Sequence, residues 1–188
     1  MANLITLQYG KDFLGIATAD TAKDSVITTL IATASQIVES HCNRTFAKAT
    51  YTEYLDNEFT GYIRIKNAPI TSITSLTFYP DTTIDVKDVS DFCFNDYGEI
   101  SGKGYVYCFP TGVRSIKVVY VGGYETIPAD VQAATAFVLS NLYNSIGRDN
   151  SVLTLKTLDI SYQLREKESG ILTPDIKALL SKYRRVSI

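Results

Sequence analysis

The clearest pattern in the chain runs from Ser115 to Asn144, where a strand rhythm gives way to a helical one. Ile116, Val118 and Tyr120 alternate with Lys117, Val119 and Val121, the period-two pattern of a β-branched strand buried on at least one face. Gly122 and Gly123 end it. Pro128 is placed to open a helix, where its missing N–H costs nothing, and Asp130 puts a negative charge in the positive first turn. From Val131 to Gly147 no residue is charged; Val131, Ala134, Val138 and Leu142 form one stripe, and Phe137, Leu139, Tyr143 and Ile146 occupy much of the rest. A helix of this kind, spanning about 128–146, needs cover on most sides, from its own domain or from neighbouring subunits. Val131, Phe137, Val138, Leu142 and Tyr143 are therefore expected in the core or in a subunit interface.

Toward the N-terminus the period is helical again. Leu4, Leu7, Phe13, Leu14 and Ile16 predict a short first helix over 6–14, closed near Gly15. Thr21 and Asp24 have capping-box spacing, and Ile27, Leu30, Ile31, Ala34, Val38 and His41 then recur at three and four residues, so an amphipathic helix is predicted over about 21–43. After Arg44 the period changes to two. Strands are predicted at 51–55, 62–66, 73–79, 86–89, 91–94, 104–109 and 115–121, punctuated by turn residues such as Asn67-Ala68-Pro69, Asn95-Asp96-Tyr97-Gly98 and Pro110-Thr111-Gly112. No crossover helix fits between them, so the pairing is expected to be antiparallel and built from hairpins. Residues 148–172 are polar and loosely patterned, extended or disordered. Thr173-Pro174-Asp175 starts a short C-terminal helix, about 174–183, with Ile176, Leu179, Leu180 and Tyr183 on one face. The expected fold is α+β: a helical subunit with an antiparallel β-rich insertion at about 50–121. A single domain over 1–188 is expected, with N-terminal helices in 1–48, the β-rich region in 49–123, the central helix in 124–147 and a C-terminal segment and tail in 148–188.

Composition narrows the chemistry. The net charge of −2 and mean hydropathy of +0.02 fit neither an acidic solvating chain nor a basic nucleic-acid binder. Charge is uneven, however: 49–126 holds six Lys/Arg against ten Asp/Glu, and 127–188 holds eight against six. Lys177, Lys182, Arg184 and Arg185 give the last twelve residues four positive groups and no negative one, while Val186 and Ile188 alternate with Ser187. Such a tail fits docking as an added strand on a partner's sheet edge, steered by its charges. Cys42, Cys93 and Cys108 are odd in number and lack C-x-x-C spacing, which predicts reduced thiols. The N-terminus has no signal-peptide pattern and no apolar run is long enough to span a membrane, so a soluble, unexported protein is expected.

Catalysis has little to work with. His41 is the chain's one histidine and lies on the amphipathic helix, which leaves no triad and no familiar zinc set. Asp81, Asp85, Asp88, Asp91, Asp96 and Glu99 match no calcium loop and read as a solvated acidic face. Gly122-Gly123 precedes a helix without any phosphate-loop motif, and Asp130 would repel a phosphate there. No enzyme activity, cofactor or metal is expected. The thirteen tyrosines lack an accompanying basic stripe in the β region, so they read first as core and interface residues. A tyrosine-rich β module that binds carbohydrate or nucleic acid is the alternative reading, and a cryptic hydrolase a more distant one.

Four segments in this order resemble a known family. They are Cys42-Asn43-Arg44-Thr45-Phe46 closing the amphipathic helix, Ala68-Pro69-Ile70-Thr71-Ser72-Ile73-Thr74-Ser75-Leu76, Val118-Val119-Tyr120-Val121-Gly122-Gly123-Tyr124, and Ile127-Pro128-Ala129-Asp130-Val131 opening the central helix. Together they make 21–146 similar to the head-tail connector (head-completion, adaptor) proteins of tailed bacteriophages. The resemblance implies a non-enzymatic structural virion protein in the neck between head and tail. It implies a homo-oligomeric ring of about twelve subunits on the portal protein, next to a stopper or tail-completion protein, with genomic DNA passing without sequence recognition and no membrane involved. It also implies that the C-terminal end, Lys182, Arg184, Arg185, Val186 and Ile188, reaches the portal.

Overall fold

The computed structural model describes residues 2–58, 60–79, 84–104, 109–146 and 171–185 with their side chains, and 154–157 and 160–163 by backbone. In chain order the elements are α1 (Leu7–Leu14), α2 (Asp24–Cys42), β1 (Ala49–Asn57), β2 (Tyr62–Arg64), β3 (Ile70–Phe78), β4 (Asp85–Lys87), β5 (Phe92–Phe94), β6 (Glu99–Gly102), β7 (Gly112–Gly122), α3 (Ala129–Ser145), β8 (Thr154–Thr157), β9 (Ile160–Gln163) and α4 (Pro174–Leu180). Single 3-10 turns lie at Val89–Asp91 and Ser181–Tyr183. The fold is α+β with a β-rich insertion, as the sequence predicts. The chain divides into a helical unit, Met1–Cys42 with Pro128–Ile188, and a β unit, Asn43–Ile127.

In the helical unit, local chemistry sets the helix ends. The Thr6 hydroxyl accepts the Tyr9 N–H to start α1, and Gly15, at φ 69°, ends it in the left-handed conformation that a β-carbon disfavours. α2 starts at Asp24, later than predicted, because Thr21 to Lys23 form a turn and the Asp24 carboxylate turns to the Lys11 ammonium instead of closing a capping box. Thr173 caps α4 through the Ile176 N–H, with Pro174 in its first turn. α3, whose one charge is Asp130 in its first turn, is covered mostly within its own unit. Val131, Ala134, Thr135, Ala136, Val138 and Leu139 are buried, and α3 packs against α2, α4 and α1. Gly10 lets α1 come close: a β-carbon there would sit 3.0 Å from Leu139 Cδ2 and 3.1 Å from Ile31 Cδ1.

The β unit has a four-stranded sheet ordered β1-β7-β3-β4 and a three-stranded sheet ordered β2-β6-β5, every pairing antiparallel. The inward residues of both sheets, among them Ile63, Ile65, Leu76, Phe78, Phe92, Ile100, Ile116 and Val118, form one core. Phe78, Phe92 and Phe109 meet there with ring centroids 5.6 to 6.0 Å apart. β6 has no counterpart in the sequence prediction. Its only strong apolar residue is Ile100, and its pairing is set across strands, where Arg64 and Glu99 are register partners and form an ion pair. Most of the strand predicted at 104–109 lies outside the described residues. The segment 148–172, read as extended or disordered, contains the β8–β9 hairpin.

Candidate interface surfaces and the contacts that shape them

Of the central-helix residues singled out by sequence, Val131 and Val138 are fully buried in the core of the helical unit. Leu142 and Tyr143 are half-buried, and the Tyr143 hydroxyl accepts a hydrogen bond from Lys23 Nζ at 3.1 Å. Phe137 is 45% exposed and meets Phe13 edge-to-face, centroids 5.3 Å apart. The cover that the sequence pattern seeks from neighbouring subunits therefore comes largely from α1, α2 and α4, while Phe137 and Ile146, with Phe13 and Tyr9 of α1, are among the described apolar residues left exposed.

The C-terminal end is anchored more firmly than its sequence implies. Lys182 pairs with Asp130 at the start of α3; their mutual hydrogen bond holds the Asp130 carboxyl below the usual range and raises the Lys182 ammonium. The Arg185 N–H donates to the Cys42 carbonyl at 3.0 Å, so this residue closes the end of α2. The tail thus has an intramolecular use that the charge pattern does not reveal. Lys177 and Arg184 lie near His41, which is partly buried; burial first, then these two cations, push its imidazole below the ordinary value. Lys177 and Arg184 thus present two exposed positive charges beside the end of α2. Val186 and Ile188 lie outside the described residues.

Each unit holds a buried polar cluster. Lys11, 2% exposed, donates to the carbonyls of Thr18 at 3.0 Å and Asp20 at 2.6 Å and to Asp24 Oδ1 at 2.8 Å. One ammonium therefore ties α1, the following loop and the start of α2 together. In the β unit, the buried Tyr120 hydroxyl donates to Glu53 Oε1 and accepts the Asn67 N–H at 3.1 Å, while the Glu53 carboxylate accepts the Lys66 N–H and Asn67 Oδ1 accepts the Thr45 N–H. Burial, and then the bond to Glu53, push the Tyr120 phenol up. Neither cluster has a sequence signature; Lys11 and Glu53 look like ordinary surface charges.

Among the described residues, no group of three or more His, Cys, Asp or Glu is placed to hold a metal ion, and no helix is long and apolar enough to cross a membrane. Cys42 is buried and reduced. Cys93 is exposed, next to the buried Phe92 on β5, with its Sγ 3.1 Å from Ser101 Oγ. Cys108 lies outside the described residues.

The architecture has known counterparts. A subunit of the neck of an empty GTA particle, computed with C6 symmetry, superposes with a TM-score of 0.63 at 15% identity, covering 100% of this chain and 94% of that one. A chain of the virion of a native gene transfer agent gives 0.64 at 16% identity, covering 98% and 91%. A chain of the neck of a native GTA particle, computed with C12 symmetry, gives 0.53 at 16% identity, covering 100% and 97%. No curated protein sequence matches the chain. The family model of head completion proteins matches residues 3–186, nearly the whole length. The chain belongs to the head completion protein family.

Proposed function

We propose that this head completion protein works as one subunit of a closed ring in the virion neck, seated on the portal and continuing the DNA channel toward the tail. The family match over residues 3–186 carries the reading. The full-length likeness to chains from necks computed with C6 and C12 symmetry supports the ring, of about twelve subunits. A stopper or tail-completion protein is the neighbour on the far side. DNA passes without sequence recognition, in keeping with the near-neutral charge of the chain. The role is mechanical, without catalysis.

The surface that meets the portal is the basic one at the C-terminal end, with Lys177, Arg184 and Arg185, continued by Val186 and Ile188. Charges at the edge of an interface steer association and are screened by salt. On purified portal rings, light scattering should show about twelve bound chains per ring. Lys177→Glu with Arg184→Glu should weaken binding at least tenfold at low salt and leave the melting temperature within a few degrees of wild type. Wild type and variant should then converge as salt rises. Equal binding by the variant at low salt would remove the docking surface, and wild-type binding as single copies would remove the ring.

A further inference from the structure

The two edges of the four-stranded sheet are built differently. β4 is three residues long, with a charged residue at each end, Asp85 and Lys87. Short, charged strands are how proteins blunt an edge against unwanted pairing. β1 has none of this protection. It runs nine residues, Ala49–Asn57, paired on one side with β7 and, among the described residues, with no strand on the other. It contains no proline, and Thr50, Tyr51, Thr52 and Tyr54 surround its central Glu53. Its two charges are engaged inside the β unit: Glu53 with Tyr120 and Lys66, and Asp56 Oδ1 with the Arg114 N–H at 2.6 Å. Ala49 to Leu55, ahead of the register shift between Leu55 and Asn57, thus offer an unguarded main-chain template about 23 Å long.

The same chain carries a ribbon in need of such a template. β8 and β9 pair Thr154 with Gln163 through Thr157 with Ile160, and among the described residues no third strand joins them. An isolated two-stranded hairpin is marginal in water; a third strand stabilises it. By alternation Leu155, Thr157, Ile160 and Tyr162 share one face of the ribbon, with Thr154, Lys156, Ser161 and Gln163 on the other.

We infer that the β8–β9 hairpin of one subunit adds to the free edge of β1 in the next, extending that subunit's four-stranded sheet. The inference rests on the ring reading and supplies its subunit contact. Each copy brings one template and one ribbon, and the two differ. Their contact is therefore heterologous and passes from copy to copy around a ring, whereas pairing of two β1 edges would stop at a two-fold dimer. Main-chain hydrogen bonds supply the affinity, and the alternating faces of the ribbon set the register.

The test uses the full chain with Cys93→Ser and Cys108→Ser, at concentrations where light scattering follows assembly, both free and on portal rings. One preparation carries cysteine at Thr50, Thr52 or Tyr54, and a second carries it at Ser161 or Gln163. Directly opposed strand residues lie within reach of a disulfide. Mixing and mild oxidation should link the two preparations for one consistent set of offsets, and adding Tyr162→Pro to the second chain should lower the yield at least tenfold. Links among β1 cysteines alone would mean edge-to-edge dimers and overturn the inference. Oligomers without mixed links would overturn it and leave the ring standing. Monomers without links in both settings would overturn both.

Discussion

Alanine in place of Gly122 is expected to destabilise the protein by about 3 kcal/mol, the upper range for overpacking against neighbours that cannot move aside. A β-carbon there would lie 2.2 Å from the Asn67 carbonyl oxygen and 2.7 Å from the Tyr120 ring. The first contact is main chain, and Asn67 is itself held by Tyr120 and by Thr45, so relief at one point breaks a bond at another. Gly123 has a parallel constraint: its φ is 93°, and a β-carbon would sit 2.5 Å from the Ala47 carbonyl oxygen. The glycine pair is therefore more than a strand end. It lets β7 pass against the 66–69 segment and the chain leaving α2. Urea unfolding should show a lower midpoint with an unchanged slope for Gly122→Ala; a loss below about 1 kcal/mol would mean the close approach is not as described.

Lys11→Met should cost a similar amount, about 3 kcal/mol, the lower end for removing one member of a buried ion pair. The methionine fills the space, but the Thr18 and Asp20 carbonyls and the Asp24 carboxylate lose their shared donor. Asp24 is 28% exposed, so water can reach it once the ammonium is gone, which keeps the figure at that lower end. Asp24→Asn should cost less, since both carbonyls keep the ammonium. Urea denaturation of the two variants side by side separates these cases, and equal losses would show that the loop carbonyls contribute nothing.

What the sequence discloses and what it hides follow from the range of the interactions. α3 and β7 are legible because their burial is written along the chain: an uncharged run from Val131 to Gly147 and a β-branched, apolar run from Ile116 to Val121. The antiparallel pairing is legible from the spacing of turns. β6 is hidden because one isoleucine carries no period and its register is fixed by Arg64, far away in sequence. The start of α2 is misread because Asp24 has a stronger partner in Lys11 than a capping box offers. The intramolecular contacts of the C-terminal end are hidden because neither Asp130 nor the Cys42 carbonyl announces that it will receive Lys182 and the Arg185 N–H. For the candidate surfaces, residue type is legible and exposure is not. Phe137 and Val138 are adjacent and both apolar, yet only Phe137 reaches the surface, because Val138 turns into the core of its unit.

That the chain completes the head by joining it to the tail is tested most directly by counting intact virions among particles assembled without the chain. Electron microscopy and encapsidated-DNA measurements should then show heads that package DNA but fail to keep it, with almost no tails attached, and expression of the chain from a plasmid should restore both. Filled, tailed and infectious particles at the wild-type level in its absence would contradict the account.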